Sequence, residues 1–269
     1  MKQEKLPYYA YSDYLKEKYG EKVYKLPVNI PAGCPNRAGG AGGCSFCAEC
    51  GTGFEAMDAS VLVKKQLEDT KEHIRRKYNA HKFIAYFQNY TNTFLPVSEF
   101  RQYMTEAGGV SGLAGIAVST RPDCIRREYL DVLREISIGK KLDITVELGL
   151  QTVNYRTLAR IGRGHGLAEF IDAVLMIREY GFGICAHVIL NLPGDGMPDC
   201  VETARFLSAL RVSTVKIHSL YIAKNTRLCE DYENGTISLC SKDEYIQRLI
   251  AFLENLDPGI AVERLFSRI

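Results

Sequence analysis

Long apolar runs are missing from this chain. No stretch of its 269 residues approaches the ~20 apolar residues needed to span a bilayer, so membrane-spanning helices are excluded and no membrane partner is expected. An excess of charge of one sign is also missing: 34 Lys and Arg face 32 Asp and Glu, a formal net charge of +2. That balance excludes a strong general field toward nucleic acid or an anionic membrane. The first residues, Met1-Lys2-Gln3-Glu4-Lys5, are charged and are not followed by the apolar core of a signal peptide. The expectation is therefore a cytoplasmic protein. No internal repeat, low-complexity tract or linker divides the sequence, so residues 1–269 are expected to form one domain.

Cysteine, by contrast, is fairly abundant and odd in number, with nine in all. In a reducing compartment such cysteines serve as metal ligands or buried small hydrophobes more often than as disulfides. Cys124, Cys185, Cys200, Cys229 and Cys240 are isolated from one another and read as packing or surface thiols. Cys34, Cys44 and Cys47 are different, with spacing C-x9-C-x2-C across Cys34-Pro35-Asn36-Arg37-Ala38-Gly39-Gly40-Ala41-Gly42-Gly43-Cys44-Ser45-Phe46-Cys47. The intervening loop holds four glycines and no bulky apolar side chain. It has almost nothing to bury, but its glycines tolerate the backbone angles that wrapping a ligand needs.

The loop reads as a wrap around an iron–sulfur cluster, with three thiolates as ligands and one iron left open. Structural zinc wants two Cys/His pairs, and no second pair stands at suitable spacing. A redox Cys-x-x-Cys would leave Cys34 and the glycine loop unexplained. Cys50 extends the run to C-x2-C-x2-C, as in a ferredoxin with a fully ligated cluster. The carriers that use that run are small, whereas this chain is large, so Cys50 is expected to be a bystander.

Along the chain, strands and helices alternate. A short helix over Tyr11–Tyr19 should stop at Gly20. Strands are expected at 23–30, 82–87, 113–118, 142–150, 183–190 and 213–222, with a last short strand at Ile260-Ala261-Val262. Helices are expected at 60–78, 97–107, 126–136, 167–180 and 199–210. A final helix should carry Tyr245, Leu249, Phe252, Leu253 and Leu256 on one face. Alternation of this kind builds a parallel α/β sheet. Polar residues cluster just after the strands, where such folds place their active sites. Residues 1–30 then form an N-terminal extension and first strand, 31–225 the core, and 226–269 a C-terminal helix and last strand.

Several stretches together resemble the radical S-adenosylmethionine (radical SAM) superfamily. Phe46 matches the aromatic residue that precedes the last cluster cysteine there. The C-x9-C-x2-C spacing resembles the rarer variant found in the catalytic subunit of Elongator and its bacterial relatives. Cys34-Pro35-Asn36-Arg37, Tyr86-Phe87-Gln88, Tyr90-Thr91-Asn92-Thr93, Thr120-Arg121-Pro122-Asp123, Glu147-Leu148-Gly149-Leu150-Gln151 and Arg163-Gly164-His165 resemble the small YhcC-like branch. These span about residues 8 to 266. The resemblance implies a partial (β/α)6 TIM-like barrel, a [4Fe–4S] cluster on Cys34, Cys44 and Cys47, and S-adenosylmethionine on the open iron. Reductive cleavage of that cofactor gives a 5′-deoxyadenosyl radical that takes a hydrogen atom from substrate. An electron donor such as flavodoxin or ferredoxin is the implied partner.

The resemblance also implies cofactor-binding residues. Gln88 and Asn89 stand where relatives carry a turn that meets the methionine amino group, and an amide oxygen can accept from an ammonium. Asn89 could equally cap the turn. Gln151 and Arg163 are similar to a pair in oxygen-independent coproporphyrinogen dehydrogenases that contacts the cofactor. Arg163 can fork onto a carboxylate. Ser119, Thr120 and His187 occupy further contact positions at strand exits, and Phe46 completes the set. Glu147, inside a barrel, needs a partner, for which Arg121 or Lys216 is the candidate. Lys216 and His218 share a strand face and, with Glu147, are the candidate catalytic residues.

Two positions depart from the pattern: Gly162 replaces an expected asparagine and Ala38 an expected acidic residue. The chain ends at Ile269, where relatives usually continue, so a short or truncated member is expected. The Elongator-like spacing implies tRNA as partner, because that relative modifies C5 of the wobble uridine. Lys140-Lys141, Arg156, Arg160 and Arg163 offer only a modest basic stretch for phosphates. Two other functions stay open: the same chemistry on a small molecule, peptide or protein, and a non-enzymatic electron carrier or sensor using Cys50 as fourth ligand.

Overall fold

The computed structural model describes residues 6–38, 42–48 and 56–267. Cys50 lies outside the described residues. The chain runs α1 (Tyr11–Tyr19), β1 (Val23–Val28), α2 (Val63–Tyr78), β2 (Lys82–Phe87), α3 (Val97–Gly108), β3 (Leu113–Thr120) and α4 (Arg127–Lys140). It continues with β4 (Asp143–Gln151), α5 (Tyr155–Arg160), α6 (Leu167–Glu179), β5 (Gly183–Ile189), α7 (Met197–Ala209) and β6 (Thr214–His218). It closes with α8 (Arg227–Glu233), α9 (Lys242–Glu254) and β7 (Ala261–Arg264). The seven strands pair in sequence order, all parallel, as a curled α/β half-barrel.

Local signals explain the boundaries. α1 stops at Gly20, whose φ of 78° only glycine adopts without strain. α2 and α4 end on Asn79 and Lys141 in the same left-handed region. The sheet sorts its side chains by alternation. Leu26, Phe83, Ala85, Phe87, Val118, Leu148, Val188 and Ile217 point outward and are buried with Leu67, Phe100, Leu133, Phe170, Val174 and Phe252 of the helices. Each such large side chain contributes roughly 1.5–3 kcal/mol when fully buried.

The expected last short strand is present and pairs with β6. The sixth strand stops at His218 rather than at residue 222, and Ser219-Leu220-Tyr221 form a loop instead. α8 was not foreseen, its seven residues being too few to show a helical period.

The open side of the half-barrel is spanned by the N-terminal segment. Val262 N–H donates to Tyr9 O at 2.8 Å, and Ala10 bridges in parallel to Val262. α1 then packs against both β7 and β1. Its Leu15, with Tyr11 and Tyr14, covers Val23, Ile84, Tyr86 and Ala117 on the inner face of the sheet.

Candidate active site

The cysteine loop leaves β1 and is fastened to the top of the barrel. Arg37 N–H donates to Cys34 O at 2.9 Å, and Cys47 N–H to Cys44 O at 2.9 Å, so each cysteine opens a tight turn. Gly43, at φ 90°, lets its N–H reach Asn36 O at 2.9 Å. Ser45 N–H donates to Ile161 O, and Leu228 N–H donates to Ser45 O, both at 2.9 Å. Asn36 ties the loop to the turn after α5: its Nδ2 lies 2.8 Å from Gly162 O and 2.9 Å from Arg163 O. The same nitrogen sits 3.2 Å from Cys44 Sγ. Arg37 crosses the loop to Cys47 O at 2.8 Å and Ala48 O at 2.5 Å. Burial pushes the Cys47 thiol above its ordinary pKa, against the pull of the Arg37 guanidinium.

Cys34, Cys44 and Cys47 border a cavity of about 550 Å³ that opens over the strand ends. Phe46, Gln88, Ser119, Thr120, Gln151, Arg163 and His187 line the same cavity, as do Glu147, Lys216 and His218. Asn89 does not line it. Its Nδ2 donates to Asn29 Oδ1 at 3.1 Å beneath the turn. Arg163 Nη2 donates to Gly149 O at 3.0 Å, and Nη1 lies 3.8 Å from Cys44 Sγ. Thr120 Oγ1 is 2.6 Å from Thr93 Oγ1. Ser119 Oγ and Tyr86 Oη stand 3.4 Å apart.

Below the cavity lies a layer of buried charge. Lys25 Nζ donates to Glu147 Oε1 at 2.6 Å and to Glu263 Oε2 at 2.7 Å. Lys216 Nζ donates to Tyr86 Oη at 2.8 Å and to Glu147 Oε2 at 3.3 Å, and sits 3.7 Å from Glu263 Oε2. His187 Nε2 is 2.6 Å from Glu147 Oε2. Two lysines thus face two glutamates. Burial alone would raise the Glu147 carboxyl, but Lys216, Lys25 and His187 hold it well below the usual carboxylate range. Burial opposes charge on Lys25 and Lys216, yet Glu147 keeps both ammonium groups above the usual lysine value. Burial pushes Tyr86 up to about 12. His187 and His218, whose rings are tilted by 30° with centroids 5.2 Å apart, are both pushed down chiefly by burial, His218 well below the usual histidine range.

The expectation for Glu147 therefore holds for Lys216 and fails for Arg121. Arg121 instead forks onto Asp123, at 2.9 and 2.7 Å, within its own loop. Lys25, Tyr86 and Glu263 complete the layer and escaped notice in the sequence. Each reads there as one residue of a strand, and only the barrel brings 122 or more residues of separation down to contact. Cys185 is a buried thiol, as expected, and its sulfur lies within 4.8 Å of the ligand atoms of Glu147 and His187.

The residues present fit a cluster and a charged organic cofactor. Three cysteines without disulfide partners converge on one cavity. Arg163 Nε and Arg37 Nε are buried there without a hydrogen-bond partner among the described residues. Buried polar atoms normally have partners, so these mark a place for bound groups.

Comparison with known proteins agrees with this chemistry. The radical SAM superfamily family matches residues 28–207, and the radical SAM C-terminal domain family matches residues 212–269. The chain is 35% identical over 260 residues to the uncharacterized protein YtqA of Bacillus subtilis, covering 96% of this chain and 80% of that protein. It is 32% identical over 253 residues to protein YhcC of Escherichia coli, covering 93% and 80%. The solved structure of the archaeal Methanocaldococcus infernus Elp3 lacking its N-terminus shares the fold, with a TM-score of 0.72 at 14% identity over 92% of this chain. The chain spans 57% of that structure. Among the described residues no helix is long and apolar enough to cross a membrane. The chain belongs to the radical SAM superfamily, whose enzymes use a [4Fe–4S] cluster and S-adenosylmethionine.

Proposed function

We propose that Cys34, Cys44 and Cys47 hold the [4Fe–4S] cluster and that the enzyme modifies the C5 side chain of wobble uridine in tRNA. Gln88, Ser119, Thr120, Gln151, Arg163 and His187, with Phe46, would hold S-adenosylmethionine in the same cavity. The observation that carries this reading is the single cavity of about 550 Å³ shared by the three thiols and those strand-exit residues. Once bound there, the cluster would provide the electron for reductive cleavage of S-adenosylmethionine, with a flavodoxin or ferredoxin as electron donor. Asn89 acts by holding the turn through Asn29 rather than by touching the cofactor.

The residues divide the remaining work. Arg163 has a buried Nε to offer and presents a planar fork for a carboxylate. Lys216, held charged by Glu147, keeps its proton and can donate a hydrogen bond to substrate, its charge being matched within the layer. Tyr86, on Lys216 and with its proton held up to about pH 12, is a donor too. His218, kept neutral by burial, offers substrate a hydrogen-bonding ring rather than a charge. β7 reaches the same cavity through Arg264, so the C-terminal helix and strand work with the barrel as one unit. The tRNA assignment rests on the Elongator-like cysteine spacing.

Two measurements test the reading. Anaerobically reconstituted protein should give a reduced-cluster EPR spectrum that changes on adding S-adenosylmethionine. An unchanged spectrum argues for an electron carrier or sensor. Mass spectrometry of tRNA nucleosides from a deletion strain should show loss of a C5-modified uridine. An unchanged profile moves the substrate to a small molecule, peptide or protein.

A further inference from the structure

The pairing of β6 with β7 slips by one residue. Val215 faces Val262, but Lys216 faces Arg264, and Glu263 is the extra residue. A bulge of this kind sends neighbouring side chains where simple alternation would not. Glu263 drops into the charged layer, accepting from Lys25 at 2.7 Å and lying 3.3 Å from Thr214 Oγ1. Arg264 is left one step higher and lines the cavity.

In the layer the charges are matched: Lys25 and Lys216 against Glu147 and Glu263. Arg264 has no such match. It contacts no carboxylate among the described residues. Its Nη2 lies against the His218 ring, and its Nε is buried with no partner among those residues. His218 is held neutral, so the ring accepts without contributing charge. Two serines stand beside the pair. Ser267 Oγ is 3.4 Å from His218 Nδ1, and Ser219 Oγ accepts from Ser267 N–H at 3.2 Å, which leaves its own proton to donate. Both serines line the cavity. A cation with a buried, unused N–H, flanked by two hydroxyls on a cavity wall, is a receptor for an oxyanion.

We propose that Arg264, Ser219 and Ser267 form an anion subsite that holds a phosphate or carboxylate of the substrate against the β6–β7 wall of the cavity. The bulge at Glu263 builds the subsite, and the acid-matched layer beneath keeps Lys216 from competing for the anion. This rests on the enzyme reading and deepens it, because the subsite selects an acidic substrate whatever the reacting carbon is. A nucleotide would offer its phosphate, and a small acid its carboxylate.

The test reads anion binding directly and needs no turnover. Line broadening of inorganic phosphate (phosphorus NMR) and of labelled acetate (carbon NMR) is measured against the full, cluster-reconstituted chain. Broadening should be seen for at least one anion and should weaken by about tenfold or more in Arg264→Gln, as expected for loss of a charged hydrogen bond. Arg264→Lys should keep most of it. Phosphate as the better ligand assigns a nucleotide-type source, and acetate a carboxylic acid. Ser219→Ala with Ser267→Ala should weaken binding by a few fold and leaves the cation in place should Arg264→Gln fail to fold. Absence of broadening in the parent protein, or equal broadening in Arg264→Gln or the double serine variant, overturns the proposal. Failure of S-adenosylmethionine to alter the cluster spectrum would overturn the enzyme reading alone and leave these anion titrations unaffected.

Discussion

Lys25 on β1 and Glu147 on β4 meet at 2.6 Å inside the barrel, 122 residues apart in the chain. Glu147 also receives Lys216 and His187, so its removal leaves two buried lysines facing the single carboxylate of Glu263. Breaking a buried ion pair from one side costs about 3–5 kcal/mol, because the remaining charge stays uncompensated. Glu147→Ala should lower the urea midpoint by an amount in that range at unchanged slope. Glu72→Ala, which removes a solvent-exposed i,i+4 partner of Arg76, should change it little. Equal midpoint shifts for the two variants would refute the role of the layer.

Acid should loosen the fold in two steps. Burial and the Arg163 charge bring His165 from the usual 6.5 down to about 4, although Asp123 opposes them. His187 and His218 are lowered as well. A depressed folded value means that the native state resists protonation. Its stability is full above about pH 6.5 and is lost as pH falls toward the folded value. For His165 alone the loss is on the order of 3 kcal/mol at most. Below about pH 4.5 the Glu147 carboxylate, held well below its usual range, adds a second loss. Thermal melts of the cluster-free chain between pH 7.5 and 3.5 should fall across both windows. A flat melting temperature from pH 6.5 to 4.5 would contradict the buried-histidine account.

The fold was readable where the physics is local. Helix stops at Gly20 and the strand at 82–87 follow from turn chemistry and apolar runs, and both are observed. The cavity-lining residues at strand exits were legible because parallel α/β sheets gather those exits at one face. What stayed hidden depends on register. Alternation alone gives Glu263 and Arg264 opposite faces, and only the β6–β7 bulge turns both inward. Arg121 was a reasonable partner for Glu147 by charge, but Asp123 two residues away costs far less loop entropy to reach. Asn89 and Gln88 adjoin in sequence, yet only Gln88 lines the cavity.

Iron binding should separate the cysteines by role. Cys34→Ala, Cys44→Ala and Cys47→Ala should each lose most of the iron after anaerobic reconstitution. Cys185 sits in the charged layer and Cys200 packs on α7, both with thiols raised by burial, and their alanine variants should retain it. Cys50→Ala should also retain iron, leaving one iron open for S-adenosylmethionine. Iron and sulfide assays on purified variants give the answer. Iron loss in Cys50→Ala would favour a fully ligated cluster and the electron-carrier function.

Gly149 offers the sharpest probe of the cofactor wall. It sits in β4, and its carbonyl accepts from Arg163 Nη2 at 3.0 Å. A Cβ placed there would collide with that same Nη2 and stand 2.9 Å from Gln151 Nε2. Both neighbours are ends of flexible side chains rather than backbone, so Gly149→Ala should fold while displacing the two proposed cofactor contacts together. Its φ is outside the left-handed region, so the substitution brings no backbone strain. Arg163→Ala removes a bidentate fork and should weaken S-adenosylmethionine binding by roughly tenfold or more. Gly149→Ala should match or exceed that loss with iron content and melting temperature near the parent values. Calorimetric titration of S-adenosylmethionine into reconstituted protein measures both variants. Unchanged affinity in Gly149→Ala would place the cofactor elsewhere in the cavity.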